Sequence, residues 1–162
     1  MIKITLNDTQ AVKSLQQIAS QLKQPRKLYG VLGETLKKIH TDRFKAETDP
    51  EGKKWKPLSP ITLAEKKGAG ILRESGNLSN KTSYNINNDG VEFGSAEIYA
   101  RLHQFGGVIR PKTKTILKTK GGRFLRQATI PARPWLGAGE KDEQLLLRKA
   151  EWVLKHQLEQ IL

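Results

Sequence analysis

The 162-residue chain has no cysteine, which removes a disulfide framework, a thiolate-ligated metal and a thiol nucleophile together. Histidine is scarce as well: His40, His103 and His156 fall in three different predicted helices, and none has the carboxylate spacing of a helical zinc motif. His40 and Asp42 lie two positions apart on a predicted helix, so their side chains diverge by about 200° and make no acid-base pair. Glycines pair at Gly106-Gly107 and Gly121-Gly122, yet no phosphate-loop lysine follows and no glycine-rich turn joins a strand to a helix. A nucleophile elbow is also missing. These absences predict a protein that is not an enzyme and that holds no cofactor and no metal.

No run approaches the roughly 18 apolar residues of a membrane span. Met1 to Leu6 alternates apolar and polar residues in place of a secretion signal's charged head and apolar stretch. The expectation is a protein made and kept in a cytoplasm, with no membrane partner. At this length one domain over residues 1–162 is expected, with enough core to fold without staples.

Acidic residues are the minority: 29 Lys and Arg against 16 Asp and Glu leave a net charge of +13, and such a surface attracts polyanions. The imbalance is concentrated. Between Ile98 and Gly139 there is no acidic residue but there are nine basic ones, Arg101, Arg110, Lys112, Lys114, Lys118, Lys120, Arg123, Arg126 and Arg133. This stretch meets nucleic-acid phosphate or an acidic protein, or it is a solvated loop whose lysines keep a strand edge from aggregating.

Met1–Leu6 reads as a short strand. A helix is predicted from about Thr9 to Leu22, with Val12, Leu15, Ile18, Ala19 and Leu22 on one stripe. Pro25 suits the first turn of a second helix that reaches about Phe44, with Leu28, Leu32, Leu36 and Ile39 inward. Gly30 and Gly33 weaken that helix by roughly 1 kcal/mol each, which suggests a close helix crossing. The proline- and glycine-rich run from Ala46 to Pro60 is a loop. Trp55 within it is either a stacking platform for nucleic acid or a plug that pins the loop to the core.

Ile61–Lys67 fits one or two helical turns, and Gly68–Leu78 a loop with a brief helix. Asp89-Gly90 between alternating runs predicts a hairpin in which Tyr84 and Ile86 pair with Val91 and Phe93. A short helix capped at Ser95 should follow, with Ile98, Leu102 and Phe105 inward, ended by Gly106-Gly107. For the basic stretch two pairings stay open: Val108–Arg110 with Thr115–Lys118, or Thr115–Lys118 with Phe124–Ile130 across Gly121-Gly122. Residues 106–129 are expected to form a flexible β-arm. A long helix from Glu140 or Lys141 closes the chain, with Leu146, Lys149, Val153, Gln157 and Ile161 on one side and Leu145, Trp152 and His156 on another. The fold class is α+β, with N-terminal helices and a long C-terminal helix packed on a small antiparallel sheet.

Four segments in order carry a resemblance: Phe44 with Asp49-Pro-Glu-Gly52 and Trp55-Lys-Pro-Leu58; Ile71-Leu72 with Ser75-Gly-Asn-Leu78; Phe93-Gly-Ser95 with Tyr99-Ala-Arg-Leu-His-Gln-Phe-Gly-Gly107; and Ile130-Pro-Ala-Arg-Pro-Trp-Leu-Gly137. The chain resembles the phage virion-morphogenesis, or tail-completion, family of Mu-like and related temperate phages and prophages. That resemblance implies a structural component of virion assembly without catalytic residues, a ring at the neck between head and tail, and other neck, tail or portal proteins as partners. It places the protein in the virion, and in the host bacterial cytoplasm before assembly. Within these segments Tyr99, His103 and Phe105 read as packing residues, and Trp135 and Leu136 as anchors.

The candidate contacts are Trp55, Arg110, Lys112, Lys114, Lys118, Lys120, Arg123, Arg126, Arg133 and Trp135. Arg133, between two prolines, is presented at low entropic cost on an extended segment, or else it is spent on an intrachain salt bridge. The basic excess is expected to lie near DNA without sequence preference, as in a channel wall. The competing class is a free-standing nucleic-acid-binding protein, which the charge supports and the lack of a recognition helix opposes.

Overall fold

The computed structural model describes residues 2–4, 13 and 25–159. The predicted helix Thr9–Leu22 lies outside the described residues apart from Lys13, which is helical; Ile161 lies outside them too.

Helix α1 spans Pro25–Ala46. Proline opens it because its missing N–H falls where a helix has no acceptor anyway. Leu28, Leu32, Leu36, Ile39 and Phe44 recur every three to five residues and are all buried. Glu47, in the left-handed region at φ 56°, turns the chain out of the helix. Helix α2 (Pro60–Glu65) starts at Ser59, whose hydroxyl accepts from the Thr62 amide. Helix α3 is a single turn, Asn77–Asn80.

The main sheet is antiparallel, with β1 (Ile2–Ile4) and β2 (Thr82–Ile86) flanking β3 (Val91–Ser95). Tyr84 faces Phe93 and Ile86 faces Val91, as the alternation predicts. The turn differs from expectation. Asn87 N–H donates to the Gly90 carbonyl at 3.0 Å, so Asn88 and Asp89 are the corner residues, and the Asn87 side chain braces them by accepting from the Asp89 amide. Asp89 is not in the positive-φ region; a side-chain-braced turn replaces the Asp-Gly turn read from the sequence.

A second correction concerns Gly94 to Phe105. Gly94 and Ser95 continue β3, and helix α4 begins five residues later, at Ala100–Phe105. Because β3 is the central strand, paired on both edges, its last residues are buried in the sheet and are not available to start a helix. The delayed start rotates the helix. Ile98 is 97% exposed and Phe105 66% exposed, whereas Ala100 and Gln104 face inward.

Helix α5 (Glu140–Glu159) packs along α1, and α1 also covers β2 and β3. Its buried stripe is Leu146, Ala150 and Val153; Lys149 is exposed, so Ala150 takes the place expected for it. Trp152, 55% exposed, stacks on His156 at the surface. Gly33 of α1 lies against the Tyr84 ring, where a Cβ would overlap it. The close crossing is therefore between helix and strand, not between two helices.

Candidate interaction surface

Strands β4 (Gly107–Ile109) and β7 (Ala128–Ile130) pair at the root of the basic arm, and β5 (Leu117–Lys118) and β6 (Phe124–Leu125) pair at its tip. Of the two pairings left open, the tip follows the second, across Gly121-Gly122. The Thr119–Gly122 turn closes with Gly122 N–H on the Thr119 carbonyl at 3.0 Å and Gly122 at φ 83°, a conformation that suits glycine.

Arg110, Lys112, Lys114, Lys118, Lys120, Arg123 and Arg126 are all exposed on this arm. The Lys118 ammonium lies 6.0 Å from the Phe124 ring centre, at the outer limit of a cation-π contact. Arg110 reaches Gln127 at 3.4 Å. The tip touches the last residue of α2 and the segment after it: Thr119 Oγ1 donates to Glu65 Oε1 at 2.8 Å, Arg123 Nε lies 3.5 Å from the same oxygen, and Lys120 Nζ lies 3.6 Å from Glu74. Hydrogen bonds from Lys66 and from the Gly68 and Lys67 amides hold the Glu74 carboxyl down at about 2, so it stays anionic.

The other three predicted contacts are inside. Arg133, Trp55 and Trp135 are buried, which removes them from the accessible surface and corrects the expectation that they meet partners directly. Arg133 Nε and Nη2 donate to the carbonyls of Lys56 and Pro57 at 2.7 and 2.8 Å. It ties the chain to itself, through carbonyls and not through a carboxylate; burial lowers its pKa. Trp55 is the plug: its ring meets Phe44 edge-on at 5.5 Å, and Nε1 donates to the Pro134 carbonyl at 2.8 Å. Trp135, wholly buried, donates from Nε1 to the Ala100 carbonyl at 3.2 Å.

Residues 133–137, which follow the arm directly, belong to no strand or helix, so their buried backbone groups need other partners. Side chains supply most of them. Gln104 Oε1 accepts from the Trp135 and Leu136 amides at 2.9 and 3.0 Å, and its Nε2 donates to the Leu136 carbonyl at 2.9 Å. Arg43 Nη1 donates to the carbonyls of Trp135 and Gly137, while Nη2 meets Asp142 at 2.6 Å. Asp142 also accepts from the Gly139 amide at 3.1 Å, capping α5 from its first turn.

His40 Nδ1 lies 2.7 Å from the Leu36 carbonyl and therefore carries the proton, which leaves Nε2 to accept from the Gly137 amide at 3.3 Å. Burial, then the Arg43 charge, push the His40 pKa down to about 3. The arm thus springs from a rigid base. Sequence reading missed Gln104, Arg43 and His40 as the residues that make this base. For His40 and Arg43 the available signal was a polar residue where the α1 stripe points inward; Gln104 gave none.

No group of three or more His, Cys, Asp or Glu residues among the described residues is placed to hold a metal ion. Among the same residues no helix is long and apolar enough to cross a membrane.

Residues 6–155 match the model of the phage virion morphogenesis family. The chain is 32% identical over 107 residues to the putative capsid assembly protein G of Escherichia phage Mu, a stretch that covers 62% of this chain and 61% of that protein. It is 28% identical over 148 residues to the Mu-like prophage FluMu G protein 2 of Haemophilus influenzae, covering 91% of each. No solved structure matches. On this match, which takes in the arm, its base, α1 and most of α5, the chain belongs to the phage virion morphogenesis family.

Proposed function

We propose that the protein is a structural component of virion assembly that acts at tail completion and head-tail joining, as a ring-forming subunit of the neck, and that it catalyses no reaction. The observation that carries this is the family match over residues 6–155, since the family's defining activity is morphogenesis. A rigid base bearing an exposed basic arm suits such work. A subunit in a ring needs one element that reaches its neighbour and one that does not yield when it is reached, and strand edges on the arm offer main-chain pairing to another chain. Partners are other neck, tail or portal proteins, and the protein resides in the host cytoplasm until it joins the virion. Held to its own chain by polar contacts that are individually weak, the arm is mobile in the free subunit and orders on assembly. Its cations lie beside the passing genome and attract phosphate weakly and without sequence preference.

The test is electron microscopy of particles from a phage or induced prophage with a stop codon at Trp55. Finished heads and tails lying unjoined, or tails abnormally completed, are expected. Normal joined virions would remove the assembly role. Seven exposed arm cations favour the second reading, a free-standing nucleic-acid-binding protein; nanomolar affinity for DNA with a steep salt dependence would put it first.

A further inference from the structure

We propose that Glu65 and Glu74, with the apolar groove beside them, form the docking site for the arm tip of a second copy of this chain. The proposal rests on the reading that the protein assembles through like subunits, and names the surface they use.

Within one chain the tip already fits this site. Thr119, Lys120 and Arg123 reach Glu65 and Glu74, and Gly121 lies so close to Glu65 that a Cβ would come within 2.5 Å of its Oε1. These bonds between tip and site are polar, and Lys120 and Arg123 are largely exposed. Exposed ion pairs of this kind are individually weak and are screened by salt. The closed arm leaves Phe124 63% and Ile116 43% exposed.

The site has unused apolar surface to receive them. A groove of about 380 Å³ is lined by Pro57, Leu58, Leu63 and Ile71 together with Glu47, and also by Lys66 and Gly68, the residues that hold Glu74 in place. Leu63 on its rim is 61% exposed. An arm arriving from a neighbour brings both the cations that Glu65 and Glu74 require and the aromatic and branched side chains that fill the groove.

The arm is also jointed. Its root ladder and its tip ladder are separate sheets, and residues 110–116 and 126–127 between them belong to neither. The tip can therefore leave its own chain and dock on another while both ladders keep their main-chain pairing. Each copy carries both a tip and a site, so the contact joins unlike surfaces and passes from copy to copy, forming a ring where the rotation between neighbours closes. Exchange of an element between like subunits costs little, because the polar contacts of the tip are re-formed on the neighbour.

The absence of native cysteine makes the test direct. Full-length Glu65→Cys and Gly121→Cys chains, each with one thiol and tags of different size, are mixed and oxidised at a concentration where the protein self-associates. Mixed disulfide dimers are expected at on the order of ten times the yield from a control pairing of Gly121→Cys with Asn88→Cys, because docking raises the effective concentration of the two thiols.

A second experiment keeps the proposal testable if either thiol weakens docking. Arg123→Glu and Glu65→Arg each impair self-association alone, and mixing the two variants restores it. Mixed dimers no more abundant than the control, together with a Glu65→Cys/Gly121→Cys chain that closes on itself as a linked monomer, would overturn the proposal. Normal virions from the Trp55 stop-codon phage would instead sink the assembly reading and leave a mixed-dimer result standing.

Discussion

Removing the Gln104 side-chain amide should unfasten the base of the arm. In Gln104→Met the side chain keeps its length, but the Trp135 and Leu136 amides and the Leu136 carbonyl lose their partner. All three bonds are buried, and an orphaned buried group costs about 1–3 kcal/mol. With partial relaxation the sum is about 3–6 kcal/mol, which for a chain of this size lowers the melting temperature by about 10–20 °C. Far-ultraviolet circular dichroism gives the melting curve, and tryptophan emission reports whether Trp135 stays enclosed.

Gln104→Glu sharpens the test. A neutral carboxylic acid can accept from the two amides and donate to the Leu136 carbonyl; an ionised one has no donor. Burial and that carbonyl raise its folded pKa above the unfolded value of about 4.3. The variant's stability is then greatest below the unfolded pKa and falls as pH rises toward and through the folded one. A Gln104→Met chain that melts within about 1 kcal/mol of the parent would refute the view that this amide organises residues 133–137.

Arg43→Met strands the Asp142 carboxylate and two carbonyls and should cost about 3–5 kcal/mol; an Asp142→Asn partner in a double-mutant cycle, followed by urea unfolding, should recover part of that loss. Gly30→Ala, with nothing within 4 Å of the added carbon, should stabilise α1 by about 0.5–1 kcal/mol, whereas Gly33→Ala, which meets the Tyr84 ring, should destabilise it; calorimetry on the pair reads the sign of each. The His40 imidazole, with its pKa at about 3, should stay neutral at pH 5 in nuclear magnetic resonance spectra. The unfolded chain takes up that proton near pH 6.5, so His40 costs about 1.4 kcal/mol of stability per pH unit as pH falls from 6.5 toward 3. A His40 titration midpoint near 6.5 would contradict the buried, hydrogen-bonded placement.

Amphipathic helices and the first hairpin were legible because their signal is periodic. Leu28, Leu32, Leu36 and Ile39 repeat at helical spacing, and Tyr84, Ile86, Val91 and Phe93 alternate. Gly94-Ser95 was not legible. Both residues are common at helix starts, and nothing local tells that β3 is paired on both edges and carries them into the sheet. One misplaced start then turned Ile98 and Phe105 to the wrong face. At the candidate site, exposure of the seven arm cations followed from charge alone, since lysines and arginines without buried partners stay in water.

The plug reading of Trp55 and the anchor reading of Trp135 were open to the sequence, but the bonds that hold them and Arg133 inward were not, because their partners are carbonyls of residues about 35–80 positions away, and a carbonyl leaves no mark in the sequence. Gln104 was hidden for the same reason. A side chain that substitutes for a neighbouring strand has no repeat, and its role is fixed by where α4 meets residues 135 and 136.

The central claim is that this chain is itself a part of the particle, needed at the step that joins head and tail. Purified protein added to an extract of the Trp55 stop-codon phage, followed by a plaque assay, measures that step alone. The account predicts that infectious titre rises with added protein, and that Gln104→Met, carrying a loosened base, restores less. Full titre in the extract before any addition, or no rise after it, would contradict the account.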